Sequence, residues 1–193
     1  MSELTVGQLK GLTVNNNVIT VPAGHTIYAP GSVVQVITVA KTDTFAGTPG
    51  AVWMDVSGLS VTITPRFVNS KFLVMADIKG AGTQDSTVIR SKIVRGISGT
   101  FTDVGVGDAA SNRPRSLGQF YIAAGGGGAA YLAQIGGNFS DQPNTLLPVT
   151  YKAQIGADSN SLVIRVNITA LDRDSAYNDA RGQSSITVME IAQ

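Results

Sequence analysis

The chain alternates. In Leu59-Ser60-Val61-Thr62-Ile63-Thr64, apolar and hydroxyl side chains follow one another with a period of two. On an extended backbone that period sends the two kinds of side chain to opposite faces, as in a half-buried strand. The pattern returns along the chain. Phe72, Val74, Ala76 and Ile78 make one apolar row, and Tyr151, Ala153 and Ile155 another, with Lys152 and Gln154 opposite. Leu162, Ile164, Val166 and Ile168 make a third, with Val163, Arg165 and Asn167 on the other side. Runs of β-branched residues add strands at 18–21, 33–40, 51–56, 87–95, 119–123, 130–135 and 185–192. Turn residues stand between the runs: Pro30-Gly31, Pro49-Gly50, Ser57-Gly58, Gly80-Ala81-Gly82, Ser98-Gly99 and Asp158-Ser159-Asn160. No amphipathic helix is legible beyond a single turn near Ser175–Ala180.

Many short strands at regular spacing close into a sandwich or barrel, and about ten of them fit a double-sheet jelly roll. The expected organisation is a β-sandwich over residues 31–193, preceded by an arm over residues 1–30 that lacks alternation and ends at Pro30-Gly31.

Composition narrows the chemistry. A chain of 193 residues buries enough surface to need no disulfide or metal. With no cysteine and one histidine, His25, thiol catalysis, thiolate zinc sites and multi-histidine cages are excluded. A net charge of +1 leaves no basic footprint for nucleic acid. No apolar run approaches the roughly 20 residues of a membrane span, and Met1-Ser2-Glu3-Leu4 does not open a signal peptide. The expected place of synthesis is therefore the cytoplasm, without membrane insertion.

Charged residues make up 14% of the chain, against the roughly 25–35% of a freely soluble surface. Two segments are also apolar on both faces. Val33, Ile37 and Val39 alternate with Val34, Val36 and Ala40, and Ile186 and Val188 with Met189 and Ile191. A strand apolar on both sides is covered on both sides. The simplest second cover is another copy of the chain; a loop or the arm is the alternative.

Several residues invite a chemical role. His25, in Pro22-Ala23-Gly24-His25-Thr26, lacks the nucleophile motif a catalytic base would serve and reads as a turn residue. Gly125-Gly126-Gly127-Gly128 lacks the lysine and helix of a phosphate loop and reads as a hairpin tip. The segment Asp172–Asp179 holds three acids that could take a cation, but Arg173 and Arg181 stand close enough to neutralise it. Asn112-Arg113-Pro114-Arg115 is a small basic loop with no aromatic neighbour in sequence; it could touch an acidic glycan or an acidic protein surface, but reads first as a solvated loop. Glu190 shares the face of Ile186 and Val188, so it needs a partner, with Lys71, Arg90, Lys92 or Arg165 as candidates, or a place at the rim. No pair among Asp77, Asp85, Asp103, Asp108, Asp172, Asp174 and Glu190 is singled out as a glycosidase pair. The expectation is no enzyme, with no catalytic, cofactor or metal residues.

Four segments together resemble small structural proteins and fibre-tip domains of tailed bacteriophages, of the cyanophage and marine-phage kind. They are Ile19–Tyr28 running into Pro30–Val36, Asp55–Pro65 running into Ser70–Val74, Thr150–Ile155, and Ser184–Ala192. The resemblance implies a jelly-roll-like β-sandwich of the tumour-necrosis-factor type, a homotrimer on the virion surface. Its variable loops would be Gly96–Asn112, Gly125–Gly128, Asn138–Pro148 and Asp172–Gly182. It implies a tail fibre or knob component docked to other virion proteins through the arm, with host surface glycans as a further contact. The alternatives are a head decoration (cement) protein stabilising the capsid lattice, and a free carbohydrate-binding module or glycan-degrading enzyme.

Overall fold

The computed structural model describes residues 21–23, 25, 29–50, 52–123, 131–174 and 177–193. Most of the 1–30 arm, residues 18–20 of the 18–21 strand, the Gly125–Gly128 tip and the first two residues of the Ser175–Ala180 turn lie outside the described residues. Among the described residues every regular element is a strand, and the chain is an all-β sandwich.

One sheet has the order β1-β13-β4-β10, from β1 (Val33–Lys41), β13 (Ser184–Ile191), β4 (Lys71–Asp77) and β10 (Gly137–Asp141). The facing sheet has the order β3-β11-β6-β7, from β3 (Met54–Ile63), β11 (Val149–Ala157), β6 (Thr87–Ile97) and β7 (Thr100–Val104). β8 (Gly118–Ile122) continues the line of β7 along β6. The chain crosses between these two sheets from β3 to β4 and from β10 to β11; β6, β7 and β8 follow one another within the facing sheet, and the first and last strands lie side by side. All pairings are antiparallel. This is jelly-roll topology.

A third sheet, β2-β12-β5-β9, closes one end, from β2 (Phe45–Gly47), β12 (Ile164–Val166), β5 (Lys79–Gly82) and β9 (Ala133–Gln134). It grows out of the first. The β4–β10 ladder bends at Ile78 and Ile135-Gly136 and continues as β5–β9, with Ile135 N donating to Ile78 O across the corner at 2.9 Å. A Cβ at Gly136 would collide with the Ala76 carbonyl, so the corner admits only glycine.

The period-two rows meet between the sheets. Phe72, Val74, Ala76, Tyr151, Ala153, Ile155, Leu162, Ile164 and Val166 are all core. Phe72 and Tyr151 cross edge-to-face with ring centroids 6.4 Å apart, a favourable aromatic geometry. Tyr151 Oη donates to Asp141 Oδ2 at 2.8 Å, while Arg95 NH1 reaches Asp141 Oδ1 at 2.7 Å.

Local expectations fail in identifiable places. Ser57-Gly58 is no turn between two strands but a bulge within β3. Gly58 takes a φ of +81°, and the register against β11 slips between Lys152↔Ser60 and Gln154↔Asp55. Gly80-Ala81-Gly82 is strand β5, and Asn138–Asp141, expected as loop, is most of β10. Val33 leaves its inward row and is exposed, because the β1 register shifts between Val33 and Gln35. Asn167, expected to face outward, is fully buried with a φ of +65°. Its amide donates to the Lys41 and Asp43 carbonyls at 2.8 and 2.9 Å and its oxygen accepts from Ser184 Oγ at 2.6 Å. A backbone turned through positive φ swings the side chain off the strand's alternation.

Candidate functional site

The sandwich has two outer faces of opposite character. On the β3-β11-β6-β7 sheet, Lys92 Nζ pairs with Asp103 at 2.7 Å, Asp55 takes Lys152 Nζ at 3.4 Å and Gln154 Nε2 at 2.7 Å, and Thr62 bonds Thr150 at 2.8 Å. Lys152 Nζ also sits 4.2 Å from the Phe101 ring centroid. This face carries charge, and Lys92, Asp103, Asp55 and Lys152 satisfy one another on it.

The β1-β13-β4-β10 face does not. Its outward residues line up across the strands as Val36–Met189–Leu73–Ser140, Thr38–Thr187–Met75–Asn138 and Ala40–Ser185–Asp77. Charge enters only at the margins, through Lys71 and Asp77. Val36 is 49% exposed, and Thr38 and Thr187 bond each other at 2.9 Å. The double-faced reading of 33–40 and 185–192 thus resolves into one face in the core and one uncharged face outside.

Glu190 lies at the inner edge of this sheet and is fully buried. None of the four cations considered for it is its partner. Gln35 Nε2 donates to it at 2.5 Å, Ser70 Oγ at 2.6 Å, and the Arg66 and Phe67 amides at 2.7 and 3.3 Å. Buried carboxylates are stabilised by hydrogen bonds as well as by cations. Here the bonds tie the 65–70 connection to β13, a structural task.

The Asp172–Asp179 segment is likewise occupied. Asp179 accepts from Thr169 Oγ1 at 2.5 Å and Arg173 Nε at 2.7 Å, and Asp172 pairs with Arg181 at 2.7 Å. The Thr169 hydroxyl, helped by Arg173, holds the Asp179 carboxyl below the usual carboxylate range. Both arginines do what their proximity in sequence implied. Among the described residues no group of three His, Asp or Glu side chains is placed to hold a metal ion. Of the acids considered as a catalytic pair, Asp77 and Asp103 are each paired with a lysine, Lys79 and Lys92. His25 is exposed, its amide donating to Pro22 O at 3.1 Å in a local turn.

The basic loop at Asn112–Arg115 does have an aromatic neighbour, brought from elsewhere in the chain. Trp53, just before β3, shares a shallow cleft, open to solvent, with Val52, Arg90, Pro114, Gly156 and Ala157. Arg90 and Gly156 are direct partners on β6 and β11. Because Gly156 has no side chain, the indole lies on its backbone: a Cβ there would sit 3.0–3.3 Å from the ring atoms. Lys92 Nζ lies 4.7 Å from the ring centroid. This cleft was hidden in sequence because its parts come from four separate segments. The lone tryptophan of the chain, set beside a strand, was the one available signal.

No protein-family model matches the sequence, and no curated protein matches it. Solved structures do. They include the T=1 particles derived from infectious bursal virus, at 13% identity and a TM-score of 0.44, covering 90% of this chain and 44% of that one. Infectious bursal disease virus of the Gt strain matches at 15% identity and 0.43, covering 90% and 46%. The VP2 subviral particle of that virus matches at 12% and 0.42, covering 90% and 45%. The chain spans less than half the length of each of these chains.

Proposed function

We propose that the protein is a non-enzymatic virion structural protein of a bacteriophage, a homotrimeric surface appendage of the tail fibre or knob kind. In this reading the 1–30 arm serves docking or subunit exchange, and surface groups contact host glycans. The observation that carries it is the difference between the two outer faces. One carries paired charges; the other presents Val36, Leu73, Met75, Met189 and Ile191 without a charge at its centre. Contiguous apolar patches on soluble proteins mark interaction sites, and a face without charge is complementary to itself. The low charge of the whole chain, 14%, points the same way.

Sedimentation of the full chain at micromolar concentration tests assembly. The expected species is about 60 kDa, three times the 20.0 kDa chain; a monomer overturns the trimer. Antibody labelling of intact particles tests location. Label at the tail is expected, and label confined to the head replaces the fibre reading with the decoration reading. Glycan hydrolysis by the purified chain, abolished by a single Asp or Glu substitution, would overturn the non-enzymatic assignment.

A further inference from the structure

We propose that the Trp53–Arg90–Pro114 cleft binds the carboxylate-bearing ring of an acidic sugar. This deepens the glycan-contact part of the proposed function and rests on it, but not on the trimer.

The cleft combines an indole, which rests on Gly156 and has Lys92 Nζ 4.7 Å from its ring centroid, with an uncommitted cation. The indole of Trp53 is held down on the bare Gly156 backbone, so an aromatic plane is fixed in place before any ligand arrives. Arg90 stands beside it, two residues from Lys92 on the same face of β6. Lys92 is committed to Asp103 at 2.7 Å. Arg90 takes part in none of the ion pairs among the described residues.

Two carboxylates on the adjoining segments have other partners. Asp103 holds Lys92, and Asp158 Oδ1 accepts from the Val88 amide at 2.9 Å. A guanidinium offers a planar fork that matches a carboxylate in two parallel hydrogen bonds.

Pro114 forms the facing apolar wall, flanked by Arg113 and Arg115, both exposed. Arg115 Nε donates to Gly107 O at 2.6 Å, which ties the loop to its own base. The cleft is shallow and open to solvent, so a ligand would rest against it rather than be enclosed. A sugar ring lays its C–H face on an indole, and a carboxylate on that ring meets the guanidinium. A neutral sugar would leave Arg90 unused.

The chain's single tryptophan makes the test direct, because fluorescence under tryptophan-selective excitation reports on this cleft and not on the tyrosines. The full chain is titrated with methyl glucuronide, with methyl glucoside and with a glutamate-rich peptide. The expected result is a saturable change with the glucuronide, half-complete at millimolar concentration, and none with the glucoside over the same range. Arg90→Gln should weaken the glucuronide response at least ten-fold with an unchanged far-UV circular dichroism spectrum. Arg66→Gln, which removes a cation elsewhere, should leave it intact. Equal responses to the two glycosides, a response indifferent to Arg90→Gln, or tighter binding of the peptide would each overturn the proposal. Sedimentation of the same samples keeps the outcomes separate: a monomer that binds glucuronide removes the trimer and leaves the cleft.

Discussion

Removing Glu190 should unfasten the 65–70 connection. The carboxylate is fully buried and accepts hydrogen bonds from Gln35, Ser70 and two backbone amides. In Glu190→Ala, Gln35 keeps its bond to Thr64 O at 2.7 Å and turns to solvent at little cost. Phe67 N, at 3.3 Å, loses a long bond. The Arg66 amide and the buried Ser70 hydroxyl lose bonds of 2.7 and 2.6 Å. Hydrogen bonds to charged acceptors contribute about 1.5–3 kcal/mol each, and a buried donor left unsatisfied costs about 1–3 kcal/mol. Release of the carboxylate from its buried place offsets part of the loss. The expected net destabilisation is about 3–4 kcal/mol. For a chain of this size that lowers the melting temperature by about 10 °C. Glu190→Gln keeps one acceptor oxygen but sets an amide NH2 against that of Gln35, and should cost about 1–2 kcal/mol. Urea unfolding at fixed protomer concentration, followed by Trp53 fluorescence, gives the energies. Hydrogen exchange over residues 64–70 gives the location. A Glu190→Ala loss below about 1 kcal/mol, with exchange there unchanged, would refute the fastening role.

Further outcomes follow from other parts of the fold. Burial first, then the charge and hydrogen bond of Asp141, hold the Tyr151 phenol above its ordinary range. The folded chain therefore keeps a proton that the unfolded chain releases from about pH 10 upward. That contribution is complete below pH 10 and is lost above it at about 1.4 kcal/mol per pH unit. Tyr151→Phe should cost about 1–2 kcal/mol at neutral pH and shallow the alkaline loss, as read from unfolding curves between pH 8 and 12. Gly136→Ala, which drives a Cβ into the Ala76 carbonyl, should cost about 3 kcal/mol or more. Gly107→Ala, with open space around it, should stay within about 0.5 kcal/mol in the same thermal scans. Leu73→Asp, on the uncharged face, should abolish association in the ultracentrifuge while leaving the far-UV circular dichroism spectrum unchanged.

Alternation exposed the core because a strand's period is a property of the backbone, independent of its partners. The rows at Phe72–Ile78, Tyr151–Ile155 and Leu162–Ile168 are buried as their spacing required. The edges and corners were not legible. β10 is mostly polar, Gly-Asn-Phe-Ser-Asp, and it forms because β4 offers it a ladder. β5, Lys-Gly-Ala-Gly, carries turn residues, yet packing at the corner wants them small. Tertiary context overrides local preference most readily where that preference is weak.

Sequence alone determined that the chain is all-β, that it wraps one apolar core and that its surface is short of charge. Those are matters of composition and period, and no partner alters them. Tertiary structure decided which surface lacks charge, since only strand order places Val36 beside Met189 and Leu73. It also decided that Glu190 is satisfied by neutral donors, and that Trp53, Arg90 and Pro114 meet. Contacts between residues far apart in the chain depend on register and crossing, which no local pattern encodes.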